Sequence, residues 1–466
     1  MKIIMPWLKR AVKLVLIIFF ALLLFYAVAR FYVVYTDSQI EGERAPYLQL
    51  QAPEAMSLLW HTSSPEIGVI RYGLDPDALN MEARENEARV AHELRLTQLQ
   101  PATRYYYAVG NADSMQYGGD EDSWFVTAPQ TGSDEAVRVW VIGDSGEPGK
   151  VAQAVRDAMK TWVQNNPRDN RPYLDQWLAL GDNAYRSGSN QQYQVALFDA
   201  YPQILKNISL WPVYGNHDAR RWAFFDIFSL PEQAESGGVG SGTENYYSFD
   251  YANIHYIVLD SQDSDLQANG SMLTWLQRDL EASQQTWTIV AFHHPPYSKG
   301  THDSDDEGDS GGKLVEMRTN VLPVLERYGV DLVLSGHSHA YERSYLMGCH
   351  YGDSSQFSQD NNVVSRGIDA RHTRFIKAKS KQAQPHSGTV YVVAGASAKV
   401  DSAPMNHPAM AVSMMEAGSL LIDIEGNRLI GRYINANAEV VDEFSIEKTT
   451  DDSWRDYRNK NYVGCQ

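Results

Sequence analysis

The chain has 466 residues, 58 of them acidic and 40 basic, for a formal net charge of −18. That balance argues against nucleic acid as a partner, since binding a phosphate backbone needs a surplus of Lys and Arg; 43% hydrophobic and 21% charged residues is the composition of a globular protein. The length exceeds one ordinary core, so two or more domains are expected.

The N-terminus carries a targeting signal. Lys2, Lys9, Arg10 and Lys13 precede an unbroken apolar run from Leu14 to Ala29, followed by Arg30 and a second apolar stretch, Phe31 to Tyr35. Ala27-Val28-Ala29 resembles a signal-peptidase site. The continuation past Arg30, whose side chain can snorkel, favours an uncleaved anchor. Residues 1–35 are therefore read as a signal-anchor or signal peptide. The positive flank stays inside and the rest of the chain is exported, either membrane-anchored or secreted/periplasmic.

Residues 42–129 read as all-β. Alternation runs through Ser57–Thr62, Gly68–Gly73 and His92–Leu96, and Arg104–Gly110 places Tyr105 and Tyr107 on one face. Short strands at about ten-residue spacing suggest a small β-sandwich. Thr131 to Asp134 is a linker. From residue 136 to about 447, apolar runs alternate with helical segments such as Lys150–Asn165 and Ser271–Gln284, an α/β pattern. Residues 448–466 read as a polar surface tail.

Five apolar runs in the α/β region end in residues with metal-ligand chemistry. They close on Gly143-Asp144-Ser145-Gly146, Gly181-Asp182-Asn183-Ala184-Tyr185, Gly215-Asn216-His217-Asp218, His293-His294-Pro295 and Gly336-His337-Ser338-His339. In open α/β sheets ligands sit at the carboxyl ends of strands. The set Asp144, Asp182, Tyr185, Asn216, His293, His337 and His339 offers oxygen and nitrogen donors suited to Fe, Zn or Mn. Asp182 is the natural bridge between two cations, which together clamp a phosphate and acidify a bound water. By charge, Asp144, Tyr185, His339 and a share of Asp182 suit a trivalent ion. Asn216, His293, His337 and the other share of Asp182 suit a divalent one.

The five blocks, in this order, resemble the signature blocks of purple acid phosphatases, members of the calcineurin-like metallophosphoesterases. The resemblance covers residue 44 to about 447 and includes YYSFDY at Tyr246–Tyr251 and GHSHAYERS at Gly336–Ser344. The region of Arg44–Tyr47, Trp60 and the tyrosine-rich strand resembles the fibronectin III-like (immunoglobulin-like) domain that precedes their catalytic domain. Most of the superfamily places a His two residues after the first Asp; here that position is Gly146, and Tyr185 supplies the replacement, as in the purple enzymes. The resemblance implies a four-layer αββα catalytic sandwich and Fe(III) with a divalent Zn, Fe(II) or Mn. It also implies hydrolysis of small phosphate monoesters by a metal-bound hydroxide. Phosphodiesterase or nucleotidase activity on the same centre is the alternative, and a binding protein with an idle site is the remote one. His217 would hold a phosphate oxygen or protonate the leaving group. His302 matches the first of two adjacent substrate-facing histidines of the plant enzymes, with Asp303 at the second position.

Other features are weaker. His294 and His255 read as packed, and Arg220 and Arg221 as a solvated pair. The loop Thr301–Gly312 begins like an EF-hand but has Leu314 at its twelfth position, so it reads as a flexible acidic rim that disfavours polyanions. Residues 347–384 read as a long polar insertion near the site. Cys349 and Cys465, the only cysteines, either pair in an oxidising compartment or are unrelated thiols.

Overall fold

The computed structural model describes residues 4–38, 42–168, 171–368, 373–379, 386–462 and 464–465. Its first element is a 35-residue helix, Ile4–Ser38. Within Lys9–Tyr32 an 18-residue stretch has a mean hydropathy of 2.7, and none of that stretch is buried in the protein. The 24 residues of Lys9–Tyr32 rise about 36 Å at 1.5 Å each, against about 30 Å of bilayer hydrocarbon. By length and composition the helix can cross a membrane.

The β-sandwich follows. Arg44–Ala52, Ala55–Glu66 and Arg89–Leu96 form one antiparallel sheet. The other contains Met81–Arg84, Val69–Gly73, Arg104–Gly110 and Met115–Gly118, with Trp124–Val126 paired to Arg104–Gly110. Alternation sends Leu48, Leu58, Trp60, Ile70, Tyr105 and Tyr107 into the shared core. The sandwich is docked firmly onto the α/β region. Arg44, 2% exposed, donates to Asn190 Oδ1 at 2.7 Å and Gln194 Oε1 at 3.0 Å. Tyr47 Oη donates to the Ile227 carbonyl and Tyr107 Oη to that of Lys206.

The α/β region stacks two seven-stranded mixed sheets. The first runs Ser209–Pro212, Gln176–Ala179, Val137–Ile142, Gly418–Glu425, Arg428–Asn435, Val440–Thr449, Thr373–Ala378. The second runs Tyr247–Tyr251, Ile254–Val258, Trp287–Ala291, Leu332–Ser335, Val390–Ala394, Tyr341–Ser344, Met410–Met414. The period of two explains the layering. Trp287, Ile289, Leu332 and Leu334 face the first sheet, sharing a core with Val139, Val141 and Leu178. Val290, Phe292 and Val333 face outward, onto Leu273 and Leu276 of helix Ser271–Ala282. On the other side, helix Lys150–Asn165 buries Ala152, Val155, Ala158, Met159 and Val163, a single helical stripe. The result is the αββα arrangement. The strands Val137–Ile142, Gln176–Ala179 and Ser209–Pro212 are parallel, as are Trp287–Ala291 and Leu332–Ser335, so the loops after them gather at one edge.

Three segments add to the sequence reading or depart from it. The 347–384 stretch is not only loop, since its strand Thr373–Ala378 completes the edge of the first sheet; residues 369–372 and 380–384 of it lie outside the described residues. The C-terminal tail runs along the surface, as read, and is anchored there: Trp454 and Tyr462 are buried, and Cys465 forms a disulfide with Cys349. The acidic rim is pinned, because Lys299 pairs with Asp303 and Asp305, and Asp305 accepts from Ser354 N–H.

Candidate metal centre

The site is built from turns whose backbone leaves its strand abruptly. Asp144, Asp182 and His337 all have positive φ, 54°, 53° and 66°, a conformation that costs a side-chain-bearing residue free energy. The strain is offset by mutual support. Asp144 Oδ2 accepts from His337 N–H and Asp182 Oδ1 from His217 N–H, both at 2.7 Å. Gly181, at φ +92°, could carry no Cβ, which would fall 2.4 Å from His293 Nδ1. Gly146 is equally constrained: a Cβ there would lie 2.4 Å from Ala184 N. The two loops are zipped by Gly146 N–H to Asp182 O and Tyr185 N–H to Gly146 O, both 3.0 Å.

All nine sequence-selected residues meet at this edge, in two groups around one carboxylate. Tyr185 Oη lies 3.2 Å from Asp144 Oδ1, 3.1 Å from Asp182 Oδ2 and 3.2 Å from His339 Nε2. His293 Nε2 lies 3.0 Å from Asn216 Oδ1, 3.1 Å from His337 Nδ1 and 3.5 Å from Asp182 Oδ1. Asp182 thus turns one oxygen to each group. His217 Nε2 is 3.8 Å from Asp182 Oδ2. The His302 ring stacks on His337 with centroids 3.7 Å apart.

The electrostatics fit cations. Burial foremost, then the Asp182 charge, pushes the Asp144 carboxyl well above its usual range. Burial, reinforced by both carboxylates, keeps the Tyr185 phenol protonated. Burial also lowers the imidazoles of His293, His337 and His339, leaving them neutral with lone pairs available to a metal. Among the described residues neither Asp144 nor Asp182 pairs with a Lys or Arg. Two buried acids, a phenol and neutral imidazoles around a gap without a positive charge fit a metal pair.

Several supporting residues went unassigned in the sequence. Asp401 Oδ2 lies 2.9 Å from His339 Nδ1, and Ser310 Oγ lies 2.6 Å from His337 Nε2. Asp309 Oδ1 lies 2.8 Å from His302 Nδ1. The buried Asp218 accepts from Asn183 N–H, Gly215 N–H and Tyr193 Oη, tying two ligand loops together. Burial, then Asp182, raises its carboxyl to about 7. Asp218 stands inside the GNHD block and was visible there; Asp401 has no local signature at all. His294, bonded to Ser261 Oγ, and His255, held between Asp250 and Asp279, are packed as expected.

Comparison with known proteins agrees with this geometry. Residues 137–341 match the calcineurin-like phosphoesterase family and residues 44–127 the purple acid phosphatase N-terminal domain.

The chain thus joins a purple acid phosphatase N-terminal domain to a calcineurin-like phosphoesterase domain.

It is 26% identical over 285 residues to purple acid phosphatase 15 of Arabidopsis thaliana, covering 55% of this chain and 49% of that protein. It is 26% identical over 323 residues to phosphoenolpyruvate phosphatase of Allium cepa, covering 63% and 60%. The matches thus span about half to two thirds of these relatives. In fold it is similar to the purple acid phosphatase PPD1 of yellow lupin, with a TM-score of 0.66 at 16% identity over 91% of this chain and 77% of that one. PhoD gives 0.59 at 12% identity, over 88% and 92%. The donor cluster is the dinuclear metal site typical of metallophosphoesterases.

Proposed function

We propose that the protein is an exported, membrane-anchored phosphatase that hydrolyses small phosphate monoesters at a centre of Fe(III) with Zn, Fe(II) or Mn. The observation that carries this reading is the position of Asp182, one oxygen toward the Tyr185 group and the other toward His293. Asp144, Asp182, Tyr185 and His339 would hold the trivalent ion; Asp182, Asn216, His293 and His337 would hold the divalent one. Such a pair, when bound, supplies Lewis acidity toward phosphoryl oxygens and acidifies water.

The chain's own groups do the rest. His217 Nδ1 lies 2.7 Å from the Arg186 carbonyl, so Nδ1–H donates there and Nε2 faces the site. As imidazolium, Nε2 holds a phosphate oxygen or gives its proton to the leaving alkoxide. His302 is oriented by Asp309 through Nδ1, which turns Nε2 toward substrate. Asp401 and Ser310 orient the two ligand imidazoles of the His-x-His turn, as outer hydrogen bonds commonly do at metal sites. The uncleaved helix fits the continuous apolar span through Arg30.

The test is the visible spectrum of the purified protein together with phosphate release from mono- and diesters. A phenolate-to-iron band absent from Tyr185→Phe, with monoesters turned over fastest, is expected. A colourless iron-free protein, or one faster on diesters, would overturn the assignment.

A further inference from the structure

The exported end of the apolar helix is joined to the candidate centre by a short chain of hydrogen bonds. Arg30 Nη1 donates to the Arg220 carbonyl at 3.1 Å. Arg220 Nη1 in turn donates to the Arg186 carbonyl at 3.1 Å, and that same oxygen holds His217 Nδ1. Arg186 adjoins Tyr185. The helix also packs beside the short helices Asn190–Tyr193 and Ala223–Ile227, which flank the GDNAY and GNHD turns. Only a few residues therefore separate the rim of the site from Arg30, near the end of the apolar segment Lys9–Tyr32.

The surface there has the chemistry of a membrane interface. Trp222 is 58% exposed, close to Arg220. On the helix, Phe31 and Tyr32 are 71% and 66% exposed at the same level as Arg30. Aromatic rings and arginines clustered at the end of a span are the residues that settle at the headgroup layer, and arginines there are drawn to anionic lipid. The flank of the cluster at His302 and His337 carries the acidic loop instead, through Asp309 and Ser310.

Resting on the phosphatase reading and the retained anchor, we propose that the His217 side of the centre lies at the bilayer surface and acts on phosphomonoesters carried by lipid headgroups. The substrate class follows from position: a phosphate presented in the headgroup plane reaches the metals past Trp222 and Arg220 without leaving the membrane.

The experiment uses the full chain reconstituted into phosphatidylcholine vesicles containing phosphatidic acid, with 4-nitrophenyl phosphate as the water-soluble monoester. Wild type is expected to release phosphate from both. Trp222→Glu should lose roughly tenfold on the vesicle ester with the soluble rate unchanged, and Trp222→Phe should restore it. Turnover of the soluble ester without the lipid one would overturn this inference and leave the phosphatase reading standing. A vesicle rate indifferent to Trp222→Glu would also overturn it. Failure on both esters would instead sink the phosphatase reading, and the lipid substrate with it.

Discussion

Gly146 shows how one residue can decide which ligand set a site uses. A side chain there would strike the backbone at Ala184, so a histidine at this position has no room while the two loops stay zipped. Tyr185, delivered by the facing loop, points into the space between Asp144 and Asp182. Gly146→Ala should therefore cost about 1–3 kcal/mol and weaken any Tyr185-dependent absorption; chemical denaturation and the visible spectrum check both. Asp401 makes a second residue-scale case. Its carboxylate holds His339 Nδ1 and is itself paired with Lys399 at 2.9 Å. Asp401→Ala should reduce metal retention roughly tenfold, measured by metal content after dialysis against a chelator, with melting temperature little changed because the loop is half-exposed.

At the scale of elements, the rim and the tail are held more tightly than their polar sequences suggest. Cys349 and Cys465 close a span of 116 residues, so removing the link frees much unfolded-state entropy in the chain-entropy picture. Cys349→Ser with Cys465→Ser should destabilise the protein by about 2–5 kcal/mol without altering its metal content, since neither cysteine touches the centre. Here the limits of sequence reading are visible. The strand tips were legible because each is an apolar run ending in a motif, and the helix Lys150–Asn165 because its stripe is local. The tail was not, because what buries Trp454 and Tyr462 is packing against parts of the chain distant in sequence. The rim reads as flexible because its acids look uncompensated in the sequence, whereas Lys299, next to the loop, pairs with two of them. Asp401 reaches His339 from 62 positions away, and no spacing rule covers that.

For the whole molecule, a pH effect is built into the second sheet. His255 is buried between Asp250 and Asp279. Burial alone would lower its pKa, but the two carboxylates win and raise it to about 9. A raised histidine stabilises the fold fully below its unfolded value of 6.5 and ceases to do so as pH climbs through 9. The loss should approach 3 kcal/mol, on the order of the shift. Of the difference in denaturation free energy between pH 6 and 9.5 in the wild type, about 3 kcal/mol should come from this residue. In His255→Gln this component of the difference should disappear, leaving a shallower slope.

The Arg44, Tyr47 and Tyr107 contacts between the sandwich and the α/β region carry a consequence for cooperativity. A guanidinium sealed inside a junction and two hydroxyls that donate to carbonyls across it leave neither partner indifferent to the other's melting. Calorimetry of the chain that follows the apolar helix should accordingly record a single heat-absorption peak rather than one for each lobe. Arg44→Ala should split that peak, releasing the smaller lobe to melt first.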